Sequence, residues 1–196
     1  MGAVAWVAFN GRSRAEAIEA LGYVDTGAEA EVDDGLVCAE LPGGWVTVVA
    51  IGKQAGDFSR AEFLAPLSRE GPVLAVDYST TVMWSIIQAY AGGGLAWSVE
   101  HDPEEGIDHL AVVGEPPPQY IPLRDRLLAE QEAEGGEDAG VDLIFDLPAL
   151  LSEALCGYQP EQADDQPAFT ALRRPARVGA PASARKRRGL LGFLFR

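Results

Sequence analysis

Over roughly the first 158 residues, apolar positions fall into short runs broken by Gly, Pro, Asn or Asp, a pattern of strands and short helices. Ala3 to Phe9 mixes β-branched and aromatic residues and stops at Asn10-Gly11, which predicts a strand. A helix start follows, because the Ser13 hydroxyl can accept the Glu16 backbone N–H while the Glu16 carboxylate reaches back; Gly22, after Ile18 and Leu21, predicts its stop. The same four letters recur at Ser59-Arg60-Ala61-Glu62, after an apolar strand from Trp45 to Ile51 and before Phe63, Leu64 and Leu67. Two related strand–helix units would produce this echo, but convergence is the simpler account, since helix-start signals arise wherever helices begin. Glu31 to Glu40 and Trp45 to Ile51, joined by Leu41-Pro42-Gly43-Gly44, predict an antiparallel hairpin.

From Pro72 the pattern is strand-rich. Val73 to Tyr78, Val82 to Tyr90, Leu95 to Glu100 and Ile107 to Val113 predict a meander, with Gly92 to Gly94 as one of its turns. Pro116, Pro117 and Pro118 end it, and Pro122 can begin a helix bearing Leu123, Leu127 and Leu128. After the acidic stretch Glu132 to Gly140, Val141 to Phe145 reads as a last strand. Asp146 then reads as the cap of a helix carrying Leu147, Leu150, Leu151 and Leu155, and Gly157 ends it. The expected fold class is α+β: a single domain over residues 1–158, mainly antiparallel sheet with three to four helices. Residues 159–189, rich in Pro, Ala and Arg and poor in apolar side chains, read as a disordered linker. Residues 190–196 form a short hydrophobic end.

Charge sharpens this division. The chain's net charge is -15, yet the eight Lys/Arg from Leu172 to Arg196 meet no acid there, while the preceding 171 residues hold seven bases and all thirty acids. A body of strong negative charge is thus tethered to a cationic, greasy tail of Arg185, Lys186, Arg187, Arg188, Leu190, Leu191, Phe193, Leu194 and Phe195. The body's charge disfavours nucleic acid, and the Arg cluster, without interleaved aromatics, predicts no specific nucleic-acid binding. The tail suits transient contact with anionic lipid, or docking onto a partner or onto the protein's own acidic surface.

Met1 to Asn10 lacks the basic start and long apolar stretch of a signal peptide, and no run approaches the roughly 18 apolar residues of a spanning helix. The expected compartment is the cytoplasm, with peripheral placement at the inner face of the membrane as the alternative. Cys38 and Cys156 lie in apolar segments and read as two reduced core thiols.

Candidate chemistry is sparse. Both histidines sit in His101-Asp102-Pro103-Glu104-Glu105-Gly106-Ile107-Asp108-His109, where a tight connection would place His101 and His109 opposite each other. Asp102 and Glu105 could then complete a divalent metal site, the basis for a metal-dependent hydrolase alternative. Turn chemistry accounts for the same Asp, Pro and Gly residues, so no metal or cofactor is assigned. No Gly-x-Ser-x-Gly elbow surrounds Ser79, and Gly52-Lys53 lacks the glycine-rich lead of a phosphate loop. Trp6, Trp45, Trp84 and Trp97 fall in strands and read first as core, second as partner contacts.

Several phrases carry a resemblance. Ser13-Arg14-Ala15-Glu16-Ala17 with Leu21-Gly22, Gly44-Trp45, Leu67-Ser68, Trp97-Ser98-Val99-Glu100-His101-Asp102, Gly106 with His109-Leu110, Gly114-Glu115-Pro116-Pro117, Asp125-Arg126-Leu127-Leu128, Glu130-Gln131 and Leu155 to Tyr158 are the residues concerned. Over residues 5 to 158 the chain resembles a family of uncharacterised bacterial α+β proteins. The resemblance implies one α+β domain and no assigned activity. Small acidic bacterial proteins of this class are often immunity proteins or antitoxins, so the leading expectation is a non-enzymatic protein-binding module whose acidic surface recognises a protein partner, a basic toxin being one candidate.

Overall fold

The computed structural model describes residues 3–160 and 166–175. The tail residues Arg185 to Arg188, Leu190, Leu191, Phe193, Leu194 and Phe195 lie outside the described residues. So does most of the expected linker.

Among the described residues nine strands form one sheet in which every pairing is antiparallel: β1 (Ala3–Asn10), β2 (Val24–Ala30), β3 (Leu36–Leu41), β4 (Trp45–Ile51), β5 (Val73–Ser79), β6 (Trp84–Ala91), β7 (Gly94–His101), β8 (Ala111–Gly114) and β9 (Phe169–Arg173). Their spatial order is β2-β9-β3-β4-β1-β5-β6-β7-β8. Helices α1 (Arg14–Ala20) and α2 (Ala61–Leu67) cover one face; α3 (Tyr120–Ala133) and α4 (Leu147–Cys156) cover the other. The α+β reading with a mainly antiparallel sheet holds.

Strand β1 lies at the centre and is buried on both faces, which is why its sequence reads as a continuous apolar run. Val4, Trp6 and Ala8 join the core under α3 and α4; Ala5, Val7 and Phe9 join the core under α1 and α2. Trp6 is fully buried and donates its indole N–H to Ser152 Oγ of α4 at 2.8 Å, so this polar atom has a partner inside an apolar layer. Tyr158 stands edge-on to both Trp6 and Phe169, with ring centroids 5.6 and 5.9 Å apart.

The capping box at Ser13 and Glu16 forms as expected. Its echo does not: α2 is capped by Arg60, whose guanidinium pairs with Glu62 at 3.0 Å, while the Ser59 hydroxyl bonds Asp77. Identical letters thus serve different local structures.

Three further expectations are corrected. The segment Val141 to Phe145 is no strand. It is an irregular crossing that ends in a 3-10 turn at Ile144–Asp146. Gln131, buried on α3, satisfies its backbone: Oε1 accepts the Leu143 N–H at 2.8 Å and Nε2 donates to the Val141 carbonyl at 3.0 Å, standing in for a neighbouring strand. Asp146 does not cap α4 with its side chain, because that carboxylate accepts the Tyr78 hydroxyl instead.

The third correction concerns the domain end. The linker expected from residue 159 contains β9, which is inserted between β2 and β3 rather than hanging free. Phe169 (6% exposed) fills the α3/α4 side and Leu172 (8%) the α1/α2 side. Two apolar residues at inward positions of a five-residue strand were masked by the surrounding prolines and charges. The folded unit therefore extends beyond Tyr158 to take in Phe169–Arg173.

Candidate functional site

Tyr78, Ser85 and His101 lie side by side on β5, β6 and β7, in direct register across the sheet. Each holds one residue of the crossing below α4. The Tyr78 hydroxyl donates to Asp146 Oδ1 at 2.5 Å, the Ser85 hydroxyl donates to the Phe145 carbonyl at 2.7 Å, and His101 Nε2 meets Asp142 Oδ2 at 2.9 Å. Asp142 Oδ1 in turn accepts the Phe145 N–H at 3.1 Å. A row of polar residues inside a sheet thus replaces the missing strand pairing by fixing a turn.

His101 has no exposed surface, and both ring nitrogens are engaged. Nδ1 lies 2.9 Å from the His109 carbonyl, which only accepts, so Nδ1 carries a proton; Nε2 faces a carboxylate. Burial, the largest influence, depresses the His101 pKa, but the bonds to Asp142 and to the His109 carbonyl, with the Asp142 and Asp102 charges, outweigh it and hold it above the ordinary value. The pair is a largely enclosed His101–Asp142 bridge whose surroundings favour the protonated imidazole. Burial and the nearby Asp142 charge raise the Asp146 pKa, which the Tyr78 bond opposes.

The quartet considered for a metal does not converge. His109 Nδ1 accepts the Asp102 N–H at 3.1 Å, Asp102 Oδ1 accepts the Glu104 N–H at 3.0 Å, and Glu105 is exposed. These bonds shape the turn. Among the described residues no group of three or more His, Cys, Asp or Glu side chains gathers as metal ligands would. Asp142, the residue that does engage His101, lies 41 positions away in the segment whose pattern reads as a strand and so does not mark its acid as a partner.

Both cysteines are free and buried, and burial pushes the Cys38 thiol up to about 12 and raises that of Cys156. Neither is an activated nucleophile. Among the tryptophans, Trp84 donates its indole N–H to Glu100 at 2.8 Å, whereas Trp45 and Trp97 are only partly buried. They line a groove of about 310 Å³ with Pro72, Ala89, Pro117 and Leu155, an almost wholly apolar wall at one end of the sheet.

The sheet's margin at β8 is the other exposed apolar feature. Val112 is 42% and Val113 54% exposed, on opposite faces of the strand, and no described strand pairs with the outer side of β8. No charged residue occurs from Leu110 to Gly114 in a chain with thirty acids. Carboxylates frame the strand at both ends: Glu104, Glu105 and Asp108 in the preceding turn, Glu115 just after, all exposed. Gly114, at φ 71°, is required here, since a Cβ at this position would lie 2.2 Å from the Ala96 carbonyl oxygen.

Among the described residues no helix is long and apolar enough to cross a membrane. Comparison of the chain with protein-family models, with curated proteins and with solved structures finds no match.

Proposed function

We propose that the protein is a protein-binding module that captures a basic partner by pairing an extended segment of it with β8. The observation that carries this reading is an uncharged margin, unpaired on its outer side among the described residues, with Val112 and Val113 exposed on its two faces and carboxylates at both ends. Strand addition supplies backbone hydrogen bonds, the valines supply apolar contact on either face, and the flanking acids steer a cationic partner to the strand. Immunity or antitoxin activity is the class that best suits an acidic surface of this kind, with a cationic protein as the target.

The test compares the natural chain with a Val112→Lys, Val113→Lys variant as bait for co-purification from the native host. Both positions are exposed, so the variant keeps its melting temperature within a few degrees. A partner held by the natural chain and lost from the variant supports the reading. Equal recovery by both, or no partner above background with either, overturns it.

A further inference from the structure

The groove between Trp45 and Trp97 has an apolar wall that nothing among the described residues covers, and its volume of about 310 Å³ is at the lower end of the roughly 300–1,000 Å³ typical of ligand sites. That is room for two or three large apolar side chains. We infer that it receives two or three of the apolar side chains of the same chain's C-terminal run, Leu190, Leu191, Phe193, Leu194 and Phe195.

Reach permits this. Arg174 and Pro175 close the described chain beside Leu21, Asp57 and Phe63, on the α1/α2 side. Strand β9 runs antiparallel to β3, so its C-terminal end lies at the opposite end of the sheet from Trp45. Leu190 follows Pro175 by fifteen positions, and that length of chain spans up to about 50 Å. A folded unit of this size is roughly 30–40 Å across. The tether also keeps the tail at an effective concentration of about millimolar around the groove, so a weak contact is enough for occupancy.

Chemistry favours the same occupant. The groove offers aromatic and proline surfaces and no charged side chain, which matches Leu and Phe rather than the preceding Arg185 to Arg188. The basic run instead finds an acidic body, with exposed Glu115 two residues from Pro117 on the groove's rim. An apolar tip of this length left in water invites association with other surfaces; burying it on its own domain removes that hazard.

The experiment uses the full chain with a nitroxide on Arg196→Cys. Cys38 and Cys156 are buried and do not compete for the label. The indole N–H resonances of Trp45 and Trp97 are expected to broaden, that of Trp84 to stay sharp, and the broadening to disappear when Leu191→Asp and Phe193→Asp are added. These tail substitutions leave the folded domain untouched. Unbroadened Trp45 and Trp97 resonances would overturn the inference, as would broadening that survives the two Asp substitutions but vanishes in high salt, which would mark a purely ionic contact. A sample mixing isotope-labelled chain without nitroxide and nitroxide chain without isotope separates the remaining case: broadening there means the tail enters the groove of a second copy, and the same-chain assignment fails. Because the readout is at the groove, it fails or succeeds independently of partner capture at β8.

Discussion

The two margins of the sheet are built on opposite principles. Strand β2 carries Asp25 and Glu29, bends where its register shifts between them, and passes through Gly27 at φ 69°. Its own side chains take up its backbone donors: Asp25 Oδ1 accepts the Gly27 N–H at 2.9 Å and Thr26 Oγ1 accepts the Ala28 N–H at 3.2 Å. Strand β8 keeps its register and carries no acid, and its one positive-φ glycine, Gly114, comes at its last position. Acidic residues, irregular register and self-satisfied donors are how proteins stop strands from recruiting strangers. One margin is closed to pairing and the other, among the described residues, is not, which is the physical ground for proposing that a partner would pair with β8.

The ties behind each margin differ as well. Near β2, Arg14 donates to Asp25 Oδ2 and to the Cys38 carbonyl, both at 2.9 Å, and also bonds Thr170, which donates to Asp25 Oδ1 at 2.6 Å. One guanidinium thereby joins α1, β2, β3 and β9. Burial alone would raise the Asp25 pKa, and the bonds from Thr170, Gly27 and Arg14 bring it below the usual value. Near β8 the tie is the buried His101–Asp142 bridge. The first network fastens a strand, the second a turn.

Truncation after Tyr158 tests this contrast most severely. It removes β9, with Phe169 and Leu172, and forfeits on the order of 3–6 kcal/mol of apolar burial besides the ladder bonds. The shortened chain is expected to lose cooperative thermal unfolding; a sharp melt close to that of the full chain would refute the inserted-strand fold. His101→Ala comes next, at about 2–4 kcal/mol, because it leaves the mostly enclosed Asp142 carboxylate without its hydrogen-bond partner. Urea midpoints measure it.

The same bridge predicts a pH effect. The folded pKa of His101 lies above its unfolded value of about 6.5, so the bridge contributes fully below that pH and its contribution fades as pH rises through the folded value. The stability difference between the natural chain and His101→Gln should therefore shrink on going from mildly acidic to alkaline conditions. A constant difference would show that no proton is held there. Arg14→Gln is the smallest of the set, about 1–2 kcal/mol since the site is partly solvated. It should speed hydrogen exchange in β2 and β9 while leaving β7 and β8 unchanged.

How much of this was legible depends on the kind of signal. Short apolar runs such as Val73 to Tyr78 and turn residues such as Gly92 to Gly94 report on local geometry, and they placed β1 and β4 to β7 within about two residues, while the segment expected from Glu31 starts well before β3. Strand β2 was not anticipated, because Val24–Ala30 is mostly exposed and bears polar residues on both sides. Strand β9 escaped because a five-residue strand paired on both sides needs few apolar letters when its neighbours supply the core. At the candidate site, the histidines stood out by rarity alone. The partner that matters to His101 is chosen by strand register and by the crossing that Gln131 holds, neither of which leaves a local pattern.

The position of β9 has a consequence for how the chain acquires its structure. Its slot between β2 and β3 is formed by residues that precede it by more than 130 positions, so the flanking strands have no complete set of backbone partners until about residue 173 has left the ribosome. Every nascent chain shorter than that presents an unfilled gap in the sheet, a form that either waits, is shielded by chaperones, or admits a foreign strand. The supply of chaperones during synthesis is accordingly expected to bear on the folded yield of this protein.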